Sequence, residues 1–263
     1  MLLFNALVAL FVCLSPISAS AAAPPQDAGA GAPRELQATA TPNPGAFSHP
    51  LQIQGLDAWF TSATAASTNC VTSWQSLGDA GVVGSAGGCP SFSSPTLNGY
   101  APMRLAASQT MTFNEAQGAT SWTLFYLSRI WGGWGRGLQS CNANVVMGCY
   151  NSDQGPNQGG VRSCESLFFN DRWWRGGPYQ AYCEGWQLFS VVVTAASVRF
   201  YRNGIIIGDF GTNWALPQLC IGGPIGEHSD NDMADVVIYR RTLTVEEQQL
   251  VEGALLWKVR ALS

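Results

Sequence analysis

The stretch that decides the fold is Val198-Arg199-Phe200-Tyr201-Arg202-Asn203-Gly204-Ile205-Ile206-Ile207. Its first five residues alternate, which is the pattern of a strand with one face buried. Asn203-Gly204 then separates this run from three isoleucines. A two-residue loop between antiparallel strands asks for positive φ at both central positions, and Asn-Gly meets that demand at least steric cost. The stretch therefore reads as a tight β-hairpin.

Working outward, the same kind of run recurs. Thr123-Leu124-Phe125-Tyr126-Leu127, Ser190-Val191-Val192-Val193-Thr194 and Val236-Val237-Ile238-Tyr239 are short, apolar and separated by clusters of Gly, Asn, Pro and Ser. Many short strands with frequent turns indicate a sandwich or barrel. One segment reads as helix, at the end of the chain. Thr244 and Glu247 form a capping box. Leu250, Val251, Ala254 and Trp257 follow at helical spacing, predicting an apolar stripe laid on the sandwich. No repeat of 20 to 50 residues is visible.

Composition narrows the class. Charged residues make up 11% of the 263 residues, against about 25% in ordinary soluble domains. Aromatic residues also reach 11%, with ten Trp. Such a chain is too apolar and too weakly charged to be disordered throughout, and it lacks the Glu/Lys/Leu richness of a coiled coil. One Lys, twelve Arg and a net charge of −4 supply no basic field for nucleic acid.

The N-terminus predicts a compartment. Leu2 to Leu14 is apolar, and small residues follow around Ala19 to Ala21, which is the form of a secretory signal peptide. No later stretch is apolar enough to span a membrane. Residues 22–47 are dominated by Ala, Pro, Gly and Thr, and cannot bury enough surface to offset their ordering entropy. The expected organisation is a signal peptide over 1–21, a disordered arm over 22–47, and one domain over 48–263, in a secreted, extracellular protein. Cysteines in that compartment read as disulfides. Local pairing closes the shortest loops and predicts Cys70–Cys89, Cys141–Cys149 and Cys164–Cys183. Cys220 is left over, either a buried thiol or a link to a second chain.

These elements, in their order, resemble the laminin G-like domains of the concanavalin A-like lectin/glucanase superfamily. Ser197 to Gly204 resembles the v-x-l-Y-v-N-G hairpin, and Cys220-Ile221-Gly222-Gly223 the i-x-I-G strand after it. Asp235 to Glu247 resembles a-E-v-i-i-Y-n-r-a-L-s-x-e-E, and Glu252 to Lys258 resembles e-g-y-L-a-x-K-W. Leu56-Asp57-Ala58-Trp59-Phe60, Val71-Thr72-Ser73-Trp74 and Leu97-Asn98-Gly99-Tyr100 resemble the opening motifs. The resemblance implies an all-β fold, a two-sheet antiparallel jelly-roll sandwich with a short C-terminal helix. It implies no single function, because function lives in sites placed on a fold.

Catalysis is tested first. Retaining glycosidases need two carboxyl groups about 5 Å apart. The hydrolases of this superfamily carry them as E-x-D-x-x-E or E-x-D-x-E on one strand. No such string of glutamates occurs; Glu115, Glu165 and Glu184 have no acidic residue two positions on, and Glu246, Glu247 and Glu252 fall on the helix. His49 and His228 sit beside no nucleophile elbow. The sequence therefore leans away from an enzyme.

Binding fares better. Trp131, Trp134 and Arg136 form one cluster; Trp173 and Trp174, followed by Tyr179, form another. Aromatic faces with a few polar groups are the usual makings of a small-molecule site, and here they make candidates for stacking on sugar rings. Each cluster also reads as core packing, with Trp59, Trp74, Trp122, Trp186 and Trp214 assigned to the core. Glu227, Asp230 and Asp232 give a candidate calcium loop; no other cofactor is expected. The expectation is a secreted carbohydrate-binding or adhesion module whose partner is an extracellular glycan or glycoprotein. The alternatives are a structural subunit of a wall, matrix or filament self-associating through Cys220, and a glycoside hydrolase with a non-standard carboxylate pair.

Overall fold

In a computed structural model, the described residues are 49–61, 70–78, 81–92, 97–98, 100–106, 108–115, 117–133, 135–152, 161–175, 185–222 and 229–260. After a 3-10 turn at Pro50–Gln52, the strands are β1 (Leu56–Thr61), β2 (Ser73–Gln75), β3 (Val83–Gly87), β4 (Ser91–Phe92), β5 (Met103–Leu105), β6 (Thr110–Phe113), β7 (Trp122–Gly133) and β8 (Gly135–Ser140). They continue with β9 (Val146–Ser152), β10 (Val161–Phe169), β11 (Arg172–Arg175), β12 (Gln187–Val193), β13 (Val198–Arg202), β14 (Ile205–Phe210), β15 (Leu219–Ile221) and β16 (Ser229–Tyr239), and the chain ends in helix α1 (Val245–Arg260).

The deciding hairpin is β13–β14, with Asn203 at φ 53° and Gly204 at φ 80°. The first sheet runs β14-β13-β12-β7-β16-β5-β4, with β1 also paired to β16. The second runs β11-β10-β9-β8-β15-β6-β3-β2. All pairings are antiparallel. The fold is the expected two-sheet β-sandwich with a C-terminal helix.

Alternation along the first sheet explains why its strands read as unbroken apolar runs. From β7, Leu124, Tyr126 and Ile130 enter the core between the sheets, where they meet Trp74, Phe113 and Leu138. Phe125 and Leu127 point the other way and join Val251 and Leu255 of α1. A strand covered on both faces cannot alternate with polar residues. Gly148 of β9 takes φ 80° at a bulge, where a Cβ would collide with the Tyr126 hydroxyl. That hydroxyl donates to Met147 O, so the bulge lets two sheets approach around one buried phenol.

The helix begins as expected. Glu247 N–H donates to Thr244 Oγ1 (3.2 Å), and Thr244 N–H donates to Glu247 (2.9 Å). Arg241 holds Glu247 through two N–H bonds of 2.6 and 2.7 Å, which keeps its carboxyl down at about 2. The buried face of the helix differs from the expected stripe. Gln248, Val251, Glu252, Leu255 and Lys258 face inward, whereas Trp257 is 41% exposed. Leu250 and Ala254 are half-buried. The inward set spans polar residues because the sheet offers them partners. Glu252 accepts from Ser190 Oγ (2.7 Å) and Gln248 Nε2 (2.8 Å).

Candidate functional site

The site is built on the outer face of the first sheet, beside α1. β16 carries Asp230, Asp232 and Asp235. In a regular strand, residues three apart face opposite sides. A bulge between Met233 and Asp235 adds one residue, and Asp232 and Asp235 emerge on the same face, both with no exposure. Each is neutralised differently. Asp232 accepts from Arg104 Nε and Nη2 (2.8 and 3.0 Å) and from Arg129 Nε (2.8 Å). Arg129 lies over Trp186, 5.2 Å from its ring centroid. Asp235 accepts from Lys258 Nζ (2.6 and 2.8 Å) and from the Trp59 indole N–H (2.9 Å).

A glycosidase acid must carry a proton toward its substrate. Both oxygens of Asp232 and of Asp235 already accept bonds from cations, so this pair acts as an anchor. The D-x-D-x-x-D spacing of Asp230, Asp232 and Asp235 is legible in the sequence.

Lys258 is the single lysine of the chain. It reaches Thr61 Oγ1 at 3.5 Å besides Asp235, and its ammonium lies 4.3 Å from the Tyr100 ring centroid and 5.5 Å from that of Trp59. Above this pair opens a pocket of about 140 Å³ lined by His49, Pro50, Trp59, Tyr100, Trp257 and Lys258, among others. His49 meets Trp59 edge-on at 4.3 Å. Asn98 Nδ2 donates to Trp257 O at 3.0 Å, tying the segment before Tyr100 to the end of the helix. Burial, and then the charge of Lys258, lower the His49 pKa below its ordinary value of 6.5. Its imidazole is neutral at neutral pH and offers one donor and one acceptor. The pocket thus combines aromatic walls, a charge-balanced floor and neutral polar groups.

Of the residues singled out in the sequence, Arg136, Trp174, Asp230 and Asp232 do not line this pocket. Arg136 is buried, with Nη1 donating to Val145 O at 3.0 Å. Trp174 is half-buried; it stacks on Phe169 (5.2 Å, 16°), donates to Phe169 O and lies under Arg172 (4.6 Å). Trp131 and Trp173 lie on β7 and β11, with side chains outside the described residues; Trp134, Tyr179 and Glu227 lie outside them altogether. The Asp232 carboxylate is held by the guanidinium groups of Arg104 and Arg129. Asp230 pairs with Gly132 and adds its field to Arg104. Among the described residues no cluster of three or more His, Cys, Asp or Glu is placed to hold a metal.

Cys70–Cys89 is formed, with Cα atoms 4.8 Å apart. Cys141 and Cys220 are free thiols, which overturns Cys141–Cys149. The register sets Cys149 across from the bulge between Arg136 and Leu138, about four residues or ~13 Å along the strand from Cys141. Cys220 has no exposed surface, so its sulfur is not presented to a second chain. Cys183 lies outside the described residues, and so does the pairing with Cys164.

Neither a family model nor a curated protein sequence matches the chain. Solved structures do resemble it. One is the binding domain of botulinum neurotoxin DC in complex with SialylT, with a TM-score of 0.50 and 10% identity over 77% of this chain and 52% of that one. Another is Trypanosoma rangeli sialidase in complex with sialic acid, with a TM-score of 0.52 and 13% identity over 79% of this chain and 34% of that one. The chain therefore spans about half the length of the first and a third of the second. At such identities the likeness shows the fold alone, a jelly-roll β-sandwich.

Proposed function

We propose that this protein is a secreted carbohydrate-binding module of laminin G-like type, which takes a sugar of an extracellular glycan or glycoprotein at the pocket beside α1. One observation carries the reading. The exposed Trp257 lines the same pocket as Tyr100, His49 and Lys258, whose charge is balanced by Asp235. A sugar presents apolar C–H faces and neutral hydroxyls, and pockets for such ligands pair aromatic walls with a few fixed polar groups. The low charge of the chain supports a neutral ligand, and the signal-like N-terminus supports secretion. The structural neighbours were solved with SialylT and with sialic acid, which is in keeping with a sugar ligand.

The test is a glycan array probed with the mature chain, its Trp257→Ala and His49→Ala variants, and Trp131→Ala and Trp173→Ala as the competing loci. The proposal expects binding that the first two variants lose while their thermal unfolding stays that of the wild type. Binding abolished only by Trp131→Ala or Trp173→Ala would move the site to the other clusters. An array with no bound glycan would overturn the function.

A further inference from the structure

Cys141 and Cys220 belong to neither the pocket nor the formed disulfide, yet they are neighbours. β8 and β15 pair Ser140 with Leu219 and Gln139 with Cys220. Cys141 continues the ladder, its N–H donating to Gln218 O at 2.8 Å. Cys141 and Cys220 are therefore diagonal neighbours on one face of the ladder, about 7–8 Å apart with their Cβ atoms somewhat closer. Each thiol shifts the acidity of the other. Cys141 Sγ lies 3.2 Å from Leu219 O and 3.9 Å from Thr112 Oγ1. Cys141 is half-exposed and Cys220 fully buried.

We propose that Cys141 and Cys220 form a cross-strand dithiol that closes to a disulfide, with Cys141 as the attacking thiol and Cys220 as the resolving one. The oxidant is a small-molecule disulfide such as oxidised glutathione. Cys141 thiolate attacks one glutathione sulfur, expelling one glutathione thiolate and leaving a mixed disulfide. Cys220 thiolate then attacks Cys141 Sγ and expels the second glutathione. Two protein thiols become one disulfide, and one glutathione disulfide becomes two thiols; two electrons and two protons leave the protein.

The division of labour follows from the surroundings. Exchange needs an accessible thiolate. The neighbouring Cys220 thiol draws Cys141 below the ordinary thiol range, whereas the Cys141 thiol, together with burial, pushes Cys220 up. Burial also bars Cys220 from direct attack on an external disulfide. The bridge would join the end of β8 to β15 and close a loop far longer than that of Cys70–Cys89.

The full chain is equilibrated with oxidised glutathione, quenched in acid, alkylated, digested and mapped by mass spectrometry. The expected result is a peptide pair linked through Cys141 and Cys220, with loss of both alkyl labels and a higher thermal midpoint. In Cys220→Ser, Cys141 is expected to stop at the mixed disulfide. In Cys141→Ser, Cys220 is expected to stay unmodified by glutathione. The proposal is overturned if both residues remain alkylated under conditions that close Cys70–Cys89, if Cys141 is found bridged to another cysteine, or if Cys220 takes up glutathione in Cys141→Ser. The wild-type map reads the linkage even where a variant folds poorly.

Discussion

The two faces of the first sheet are both buried, by different means. The inner face is sealed by Leu124, Tyr126, Phe189, Val191, Val236 and Ile238 against the second sheet. The outer face also buries Phe125, Leu188 and Val237 under the helix, but it takes in Asp235, Lys258, Ser190, Glu252 and Gln248 with them. Apolar burial is non-directional and scales with area. Ion pairs and hydrogen bonds demand particular atoms in register, and their best-attested use is to specify an arrangement. The inner face therefore supplies stability, and the outer face fixes the rotation of the helix. Locking Lys258 and Glu252 inward places Trp257 at the rim of the pocket, about 100° around the helix from Lys258.

The contrast can be broken from either side. Trp122 has no exposed surface and donates to Trp214 O at 2.8 Å. Trp122→Ala should have the largest effect, about 3–5 kcal/mol, read as a lower urea midpoint with glycan binding retained in the folded fraction. On the outer face, Lys258→Met should cost about 3 kcal/mol, because it leaves Asp235 charged and buried. Lys258→Met/Asp235→Asn should recover more than half of that loss, which urea midpoints of both variants would show. Glycan binding should stay weak in the double variant, since the pocket has lost the ion pair beneath it.

Glu115 sharpens the comparison, because it is a buried carboxyl with no ion pair. One oxygen accepts Leu219 N–H, and the other has no hydrogen-bond partner. Burial pushes its pKa up from the ordinary 4.5 to about 7. The folded state then holds this proton more tightly than the unfolded state. Its contribution to stability declines as pH rises from 4.5 to about 7 and is level above that. Glu115→Gln keeps an acceptor for Leu219 and should add up to about 3 kcal/mol near pH 8 and nothing near pH 4. Thermal midpoints across that range, wild type against variant, read the difference directly.

Smaller effects test the helix alone. Thr244→Ala removes the cap and should cost about 1 kcal/mol, measured by thermal unfolding. Trp257→Ala should change stability by no more than about 0.5 kcal/mol, and calorimetry should show it lost to glycan binding. A large destabilisation would mean that Trp257 packs as a core residue, and the division between the faces would fail.

Much of the fold was legible from local pattern. The Asn203-Gly204 turn, the runs in β7, β12 and β16, and the Thr244–Glu247 box all report nearest-neighbour sterics and short-range hydrogen bonds. The site was less so. Leu250 and Trp257 have the helical spacing of a buried stripe, yet which face is buried depends on what the sheet offers, and it offered Asp235 and Ser190 to Lys258 and Glu252. The bulge that turns Asp232 and Asp235 to one side has no sequence mark of its own. Local pairing was sound for Cys70–Cys89, which staples one hairpin. It failed for Cys141, because the β8–β9 register sets Cys149 across from the bulge between Arg136 and Leu138, away from Cys141 along the strand.

The sequence by itself determined that this chain is a β-sandwich with a capped C-terminal helix, because strand alternation, turn geometry and capping act over a few residues. The tertiary structure alone decided the pocket. Trp59 and the Asp235 it bonds are separated by 176 residues, and His49, Tyr100 and Trp257 come from three further places in the chain. They meet only once the strand order is set and the helix is pinned against it by a buried ion pair.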